Sequence, residues 1–359
     1  MAGIVTARLR AQRLVGNGFA SAVDVVRHFG AVQSQDYPGA KWALALRMRS
    51  AVESDIDRAF DAGAIVRTHV LRPTWHFVAP EDVRWMLALT GPKVHRGMAG
   101  RHRELGLDAP TIASAHRVFE KALEGGNQLT RPEVGAALEH AGIAVDPHRL
   151  PHLLYSGELT ALLISGRRKH GQHTYALFEE RVPKSPPLDR EEAIARLAHL
   201  YFMSHGPAQL RDFVWWSGLT LAEARRGIAS SADSLDHVEV DGATYWFDAA
   251  LGAARLPAAT AILLPNFDEY TVGYADRSAI LHPARPFRPE LFAFSSILSN
   301  VVVVAGQVCG AWRRQTARDR LRVEVRPLAA LTGAEHTLVE AAGARLSRFL
   351  GRRVEVVWL

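Results

Sequence analysis

Residues 201–247 read YFMSHGPAQLRDFVWWSGLTLAEARRGIASSADSLDHVEVDGATYWF and hold the clearest structural pattern in the chain. A helical stretch ends at the turn WSG, and Thr220 and Glu223 then form a T-x-x-E capping box, which predicts the start of a second helix. HVEV and TYWF flank the dipeptide Asp241-Gly242, which suits a two-residue hairpin. Helix, tight turn, helix and hairpin is the order of a winged helix.

The same order of elements recurs at 111–178. Helical patterns over 112–123, 130–140 and 146–154 include a second T-x-x-E box, and two strand-like runs, TALLIS and HTYALF, follow them. The loop GRRKHGQ joins these runs and predicts an exposed basic wing that contacts a nucleic acid, with a plain solvated turn as the alternative. Four residues form its tip: Arg167, Arg168, Lys169 and His170.

A third copy fits the N-terminal region. Helical patterns cover 6–14, 21–29, 41–47 and 53–62. AIVRTHV and TWHFVA then alternate around Arg72-Pro73, which predicts a hairpin. Three such units in one basic chain suggest a curved surface for duplex nucleic acid.

The pattern changes from about residue 255 onward. Short strand-like runs dominate, with glycine-containing turns at AGQVCG and TGAE, one amphipathic helix over 336–351 and a last strand, VEVVWL. The sequence therefore predicts an α+β fold of three tandem winged-helix units and a C-terminal β-rich module. The predicted boundaries are 1–100, 101–185, 186–255 and 256–359.

The composition indicates a globular intracellular protein. The 359 residues are 48% hydrophobic and 22% charged, and the single cysteine cannot form an internal disulfide. A net charge of +6 suits a polyanionic partner, although a bias toward arginine and alanine in the genome would give the same excess. The N-terminus lacks the apolar core of a signal peptide, and no metal or nucleotide-cofactor motif occurs. We expect a cytoplasmic protein without membrane, metal or cofactor.

The segment AVQSQDYPG at residues 31–39 places two glutamines one residue apart. In an extended backbone Gln33 and Gln35 would project to the same side, whereas on a helix they would share no face. Pro38 and Gly39 argue against a helix through the pair. The alternative is that both amides only satisfy backbone groups at a turn.

Four segments together resemble the AlkZ/YcaQ-like family of bacterial winged-helix DNA glycosylases: AVQSQDYPGAKWALALR, RTHVLRPTWHFVAPED, GPAQLRDFVWWSGL and LLPNFDEYTVGYADR. The resemblance covers nearly the whole chain in the same order. It implies tandem winged helices around a concave DNA channel. It also implies excision of bulky N7-alkylated or crosslinked purines without a metal or cofactor. In that family a Q-x-Q or Q-x-D pair is catalytic, which assigns this role to Gln33 and Gln35.

The implied chemistry suits an uncharged amide. Hydrolysis of an N-glycosidic bond passes through an oxocarbenium-like sugar, and water must be held on the face opposite the leaving base. An N7-alkylated purine is already cationic and needs little protonation, so a carbonyl oxygen that holds water suffices. The same weakness of glutamine as a base predicts little activity on normal purines.

Other candidate residues come from the second and fourth segments. Arg67 and Arg72 would contact phosphates, and Thr74 and His76 share one strand face that points either outward or toward the channel. The alternative for His76, which the sequence favours equally, is a hydrogen-bonded interior histidine that does not contact DNA. His69 is expected to be a surface strand residue.

Two carboxylates are possible accessories to the glutamines. Asp36 would act on the water if the backbone bends, but a local bond at the turn is favoured. Asp268 would help to place the water, although a salt bridge that links the β-rich module to the winged helices is the favoured interpretation.

The sequence therefore predicts a monofunctional, metal-independent DNA glycosylase that acts as a monomer on double-stranded DNA containing an alkylated purine. It would be associated with the nucleoid when it acts. The alternative from another class is a non-catalytic winged-helix DNA-binding protein, either a regulator or a scaffold.

Overall fold

A computed structural model describes residues 2–252, 260–316 and 320–359. Its helices, α1 to α15 in chain order, span Ala2–Ala11, Ala22–Phe29, Tyr37–Leu46, Glu53–Asp61, Pro80–Gly97, Ala99–Glu104, Ala109–Leu123, Arg131–His140, Arg149–Leu159, Phe178–Arg181, Arg190–His205, Leu210–Ser217, Leu221–Ser230, Glu269–Val272 and Gly333–Leu350. Its strands, β1 to β13, span Ala31–Gln33, Val66–His69, Trp75–Val78, Leu129–Thr130, Leu163–Ser165, Thr174–Leu177, Leu235–Val240, Ala243–Asp248, Ala261–Leu264, Val301–Val304, Gln307–Thr316, Leu321–Pro327 and Val354–Trp358. The fold is a mixture of α and β elements.

The described strands form four sheets. Two have three strands each, in the orders β1-β3-β2 and β4-β6-β5, and one is the hairpin β7-β8. The fourth has five strands in the order β13-β12-β11-β10-β9, in which only β12 and β13 run parallel. Short connections join β10 to β11 and β11 to β12, and α15 provides the long crossover that the parallel pair β12-β13 needs.

The stretch that includes 201–247 has the predicted order of elements. Helices α11, α12 and α13 precede the hairpin β7-β8. The capping box at Thr220 forms as predicted, with the Thr220 hydroxyl accepting from the Glu223 N–H and the Glu223 carboxylate accepting from the Thr220 N–H. Asp241 and Gly242 both have positive φ, 51° and 75°, as a two-residue hairpin of this kind requires.

Residues 109–177 also contain the predicted helices and hairpin, with differences at the ends. Helix α9 begins at Arg149 and extends to Leu159, five residues beyond the predicted end, because residues 153–159 are all buried and packing keeps them helical. The two-residue strand β4 was not predicted and pairs with β6. This region has an apolar cluster of its own, centred on Phe119, Leu138 and Leu153.

The N-terminal region contains the four predicted helices and the predicted hairpin β2-β3. It also contains two elements that were not predicted, the edge strand β1 and the 18-residue helix α5. Strand β1 pairs with β3, so the hairpin becomes a three-stranded sheet. Helix α5 continues through Pro92, one turn before its end.

The C-terminal sheet shares its core with the N-terminal helices. Trp42 of α3 packs on Phe349 of α15 with ring centroids 5.2 Å apart, and the Arg345 guanidinium donates to the carbonyl of Leu46 at 2.8 Å. The lone thiol, Cys309, is buried in this core, and burial raises its pKa to about 12. The predicted boundary between residues 255 and 256 lies outside the described residues.

The prediction that TGAE forms a turn is wrong. Thr332 is the N-cap of α15, and Glu335 completes a capping box with it. No helix of the described residues is both long enough and apolar enough to cross a bilayer.

Candidate active site

The three-stranded sheet β1-β3-β2 positions Gln33. In its register Gln33 lies opposite His76, and His76 lies opposite Thr68. Directly opposed residues of antiparallel strands project to the same face, so the three polar side chains lie together. The prediction that no helix runs through the glutamine pair holds for both residues. Only Gln33 lies in a strand, because β1 ends there and Gln35 lies in the bend before α3.

The two glutamine side chains have different surroundings. Gln33 is only 8% exposed, and its Oε1 atom has no hydrogen-bond partner among the described residues. Gln35 is exposed, and its Oε1 atom accepts from the Trp75 N–H at 3.4 Å. The alternative in which the two amides only bond backbone groups therefore explains Gln35 in part. It does not explain the Gln33 amide, whose oxygen has no partner among the described residues.

Glu269 fixes the backbone of Gln33. Its Oε1 atom accepts the Gln33 N–H at 2.7 Å, and its Oε2 atom accepts from His205 Nε2 at 3.2 Å and from Trp216 Nε1 at 3.1 Å. Burial alone would raise the pKa of Glu269, but its interactions with His205 and His76 and the hydrogen bond from the Gln33 N–H lower the pKa to about 2. A fully buried carboxylate anion thus lies beside the glutamine pair.

The structure corrects the accessory role predicted for Asp268. Both of its oxygens accept from Arg47, at 2.8 Å each, and Oδ1 also accepts from the Tyr270 N–H. The carboxylate is buried and its charge is paired with Arg47 at the end of α3, which matches the favoured interpretation of a salt bridge between residues 256–359 and the N-terminal region. The neighbouring Glu269 makes the contact with the glutamine segment instead, and sequence reasoning missed this role although both acids lie in the FDEY motif.

Asp36 has a local structural role. It is the N-cap of α3 and accepts the Gly39 N–H at 3.3 Å, and its second oxygen accepts from Asn266 Nδ2 at 3.1 Å. These bonds match the favoured alternative, a local bond at the turn, and correct the accessory one.

His76 is buried next to Gln33 and is neutral. Its Nδ1–H donates to the Thr74 carbonyl at 2.9 Å, while burial and the nearby charge of Arg72 lower the pKa of His76 to about 3. Its Nε2 atom is therefore an acceptor, and it has no partner among the described residues. The Oγ1 atoms of Thr68 and Thr74 are unpaired in the same way. Because buried polar atoms are nearly always bonded, this concentration of unpaired atoms indicates a site that binds a polar ligand or water.

Arg67 is not the phosphate contact that the sequence predicted. It is buried, its Nε and Nη2 atoms donate to the Ser34 carbonyl at 3.2 and 3.0 Å, and its guanidinium lies 4.2 Å from the ring centroid of Trp75. These bonds turn the guanidinium toward the glutamine segment and away from solvent. Glu269 thus holds the N–H of Gln33, and Arg67 holds the carbonyl of the next residue, Ser34.

The prediction that His69 lies on the surface is also wrong. His69 is buried, and its Nδ1 atom bonds the buried carboxylate of Glu158. Glu158 also accepts from Trp75 Nε1 at 3.3 Å. These three residues and Tyr155 line a cavity of about 190 Å³, which the alternation of strand β3 places on the face of the sheet opposite to His76.

The basic loop between β5 and β6 is only partly exposed. Arg167, Lys169 and His170 are exposed, as predicted. The Arg168 side chain is only 21% exposed because it pairs with Asp57 at 3.0 Å. The prediction of an exposed Arg168 is therefore wrong, since helix α4 provides a carboxylate that turns this side chain inward.

Comparisons with known proteins identify the family of this chain. Residues 26–349 match the family model described as DNA glycosylase AlkZ-like. The chain is 25% identical over 320 residues to an interstrand DNA cross-link repair glycosylase of Streptomyces sahachiroi, a match that covers 85% of each protein. The solved structure of Streptomyces sahachiroi DNA glycosylase AlkZ has a similar fold, with a TM-score of 0.80, 23% identity and coverage of 100% of this chain and 99% of that one. The resemblance found in the sequence is confirmed, and the chain belongs to the DNA glycosylase AlkZ-like family.

Proposed function

We propose that this protein is a DNA glycosylase that hydrolyses the N-glycosidic bond of N7-alkylated or bulky purines, including crosslinked ones, in double-stranded DNA. The observation that carries the proposal is the Gln33 carboxamide. Its oxygen is buried and unpaired within the described part of the chain, and the backbone is held at the Gln33 N–H and at the Ser34 carbonyl. A side chain kept in place without an intramolecular partner is suited to hold a ligand.

The chemistry follows from the charge of the leaving group. An N7-alkylated purine departs as a neutral base, so the enzyme needs to stabilise the positive sugar and to hold water on its opposite face. The Gln33 oxygen would accept a hydrogen bond from that water, and its dipole would point its negative end at the sugar. Gln35, which is exposed, would contact the deoxyribose or its phosphate.

The buried anion of Glu269 supports the same step. Its carboxylate bonds the Gln33 N–H at 2.7 Å and adds a fixed negative charge next to the developing cation. A charge preorganised in a dry site stabilises such a transition state without reorganisation during the reaction. The neutral Nε2 of His76 provides a second acceptor for the water.

We further propose that the enzyme is monofunctional, acts as a monomer without a metal or cofactor, and has three winged-helix units. Contact with DNA would come from Arg72, Thr74 and the exposed residues of the basic loop. These contacts would position the duplex without reading its sequence.

Release of free base from a duplex that contains 7-methylguanine tests the proposal. We expect release by the wild type and a loss of at least about tenfold, roughly 1.4 kcal/mol of transition-state stabilisation, in Gln33→Ala and in Gln35→Ala. Gln307→Ala, at the first residue of β11, is the matched control and should retain full activity. An identical duplex with normal guanine should release no base.

Two outcomes would contradict the proposal. Release that survives both site substitutions would remove the amides from the mechanism. Tight binding to DNA with no release by any variant would instead favour the non-catalytic regulator or scaffold.

A further inference from the structure

Two arginines converge on one exposed indole of α12, next in sequence to Trp216, which bonds Glu269. Trp215 of α12 is 44% exposed, and its Nε1–H is held by the Val272 carbonyl at 3.0 Å. The guanidinium carbons of Arg72 and Arg277 each lie 5.5 Å from the centroid of this ring. Arg72 comes from the turn between β2 and β3, and Arg277 follows α14, so the fold brings them together from distant parts of the sequence.

Both arginines retain unused donors. Nε and Nη2 of Arg72 and Nη2 of Arg277 are buried and have no hydrogen-bond partner among the residues that the structure describes. Within the same residues neither guanidinium forms a salt bridge. The remaining donors of Arg277 go to main-chain carbonyls, with Nε on Thr271 at 2.7 Å and Nη1 on Ala275 at 3.5 Å.

The surrounding charges leave this pair of cations undercompensated. Burial lowers the pKa of Arg277, and the charge of Arg72 lowers it further, whereas Asp212 and Asp276 act in the opposite direction. Burial also lowers the pKa of Arg72, against the attraction of Glu269. Asp276 is committed elsewhere, because it pairs with Arg211 at 2.6 Å. Two neighbouring, partly buried cations with free N–H groups favour an anion between them.

The position of the pair indicates which anion. Planar guanidinium donors match the oxygens of a phosphate, and an exposed indole offers a surface on which a base or sugar packs. Arg72 lies in the turn that leads into β3, four residues before His76, and His76 lies opposite Gln33 in the sheet, so the anion would lie next to the nucleotide that faces Gln33.

We propose that Arg72, Arg277 and Trp215 form a site for one DNA phosphate adjacent to the damaged nucleotide. The inference rests on the proposed function for its DNA substrate and adds two residues, Arg277 and Trp215, to the interface. The phosphate would anchor the backbone, and Trp215 would pack against the neighbouring sugar or base.

Binding to chemically neutralised DNA tests this site. The probe is a duplex with one 7-methylguanine nucleotide, whose 2′-fluorine prevents cleavage, and with a single uncharged methylphosphonate placed in turn at each linkage around it. For the wild type, neutralising one particular phosphate linkage beside the lesion should weaken binding. In Arg277→Gln the charged duplex should bind more weakly, and the same neutral linkage should have little further effect because the two changes remove one contact. The slope of log K against log salt should fall by about 0.9.

Arg313→Gln is the matched control, because Arg313 is exposed and already paired with Glu324 on the C-terminal sheet, away from Arg72 and Arg277. It should keep the wild-type affinity and linkage effect. Thermal unfolding verifies that each variant is folded, and Arg72→Gln takes the place of Arg277→Gln if the latter unfolds. If neutralising that phosphate linkage weakens the binding of Arg277→Gln as much as it weakens the binding of the wild type, the proposal is wrong.

Inorganic phosphate distinguishes a DNA site from a site for a free anion. Stabilisation of the wild type by phosphate, abolished in Arg277→Gln and accompanied by no linkage effect in DNA, would overturn the assignment to DNA. The binding assay involves no base release. A protein that releases no base but shows the expected coupling would disprove the proposed function and leave this inference standing.

Discussion

Two buried glutamates, Glu158 and Glu269, have almost the same side-chain partners and different roles. Each accepts one bond from an imidazole and one from an indole, His69 and Trp75 for Glu158 and His205 and Trp216 for Glu269. Only Glu269 accepts a third bond, from the N–H of Gln33. The fold thus contains two buried carboxylates that each accept one bond from an imidazole and one from an indole. The main-chain contact from Gln33 places only Glu269 in the candidate active site.

The largest effect on stability is expected for a third carboxylate, whose partner is a full positive charge. Asp268→Ala leaves Arg47 buried without its counterion and should destabilise the fold by about 3–5 kcal/mol. Denaturant unfolding measures the loss. The double variant Asp268→Asn with Arg47→Met should lose less, because no charge stays buried alone. Equal losses in the two would contradict this account.

The difference between the two glutamates is tested by the variants Glu269→Gln and Glu158→Gln. An amide brings its own N–H groups toward partners that are themselves donors, so each variant should lose about 1–3 kcal/mol of stability. Glu269→Gln should also reduce base release at least about tenfold, which is roughly 1.4 kcal/mol. Glu158→Gln should keep release near the wild-type rate at a temperature at which both are folded. A similar loss of release in both variants would show that Glu269 acts only through stability.

Acid unfolding provides a smaller signature of Glu269. Because its pKa in the folded protein is about 2, below its ordinary value of 4.5, its contribution to stability is complete above pH 4.5 and is lost as the pH falls toward 2. The free energy of unfolding of Glu269→Gln should therefore fall less steeply over this interval than that of the wild type. Parallel curves would disprove the charged state assigned to Glu269.

The smallest effect is expected at the other end of the glutamine segment. Asp36→Ala removes the N-cap of α3 and should cost about 1 kcal/mol of stability. Because both Asp36 oxygens bond Gly39 and Asn266, base release should remain at the wild-type rate. A large loss of release with normal folding would restore Asp36 to the mechanism.

Local chemistry made much of the fold predictable. The capping box at Thr220 and the Asp241-Gly242 turn are signals that neighbouring residues satisfy among themselves, and both formed as predicted. The same kind of capping box occurs at Thr332, with Glu335 three residues after the threonine. Gly333 between them suggests a turn, and this hides the start of the helix. Strand β1 has only three residues and depends on its pairing with β3, so no local pattern marks it.

The candidate site was predictable only where one short motif carries it. Spacing and resemblance identified Gln33 and Gln35. Glu269, which bonds the Gln33 N–H, lies 236 residues away in sequence, and no local pattern in the sequence predicts such a contact. Arg67 and His69 were misplaced for a related reason. All four residues of β2 are buried, so the alternation that distinguishes an inner from an outer face is absent there.

The buried thiol of Cys309 makes the protein convenient for site-specific labelling. Since the thiolate is the reactive form and this group has a pKa of about 12, maleimide reagents should leave it untouched in the native state. A cysteine introduced at an exposed position such as His170 would then be the only site to carry a fluorophore. Movement of the basic loop on a duplex could be followed by energy transfer without first removing a native cysteine.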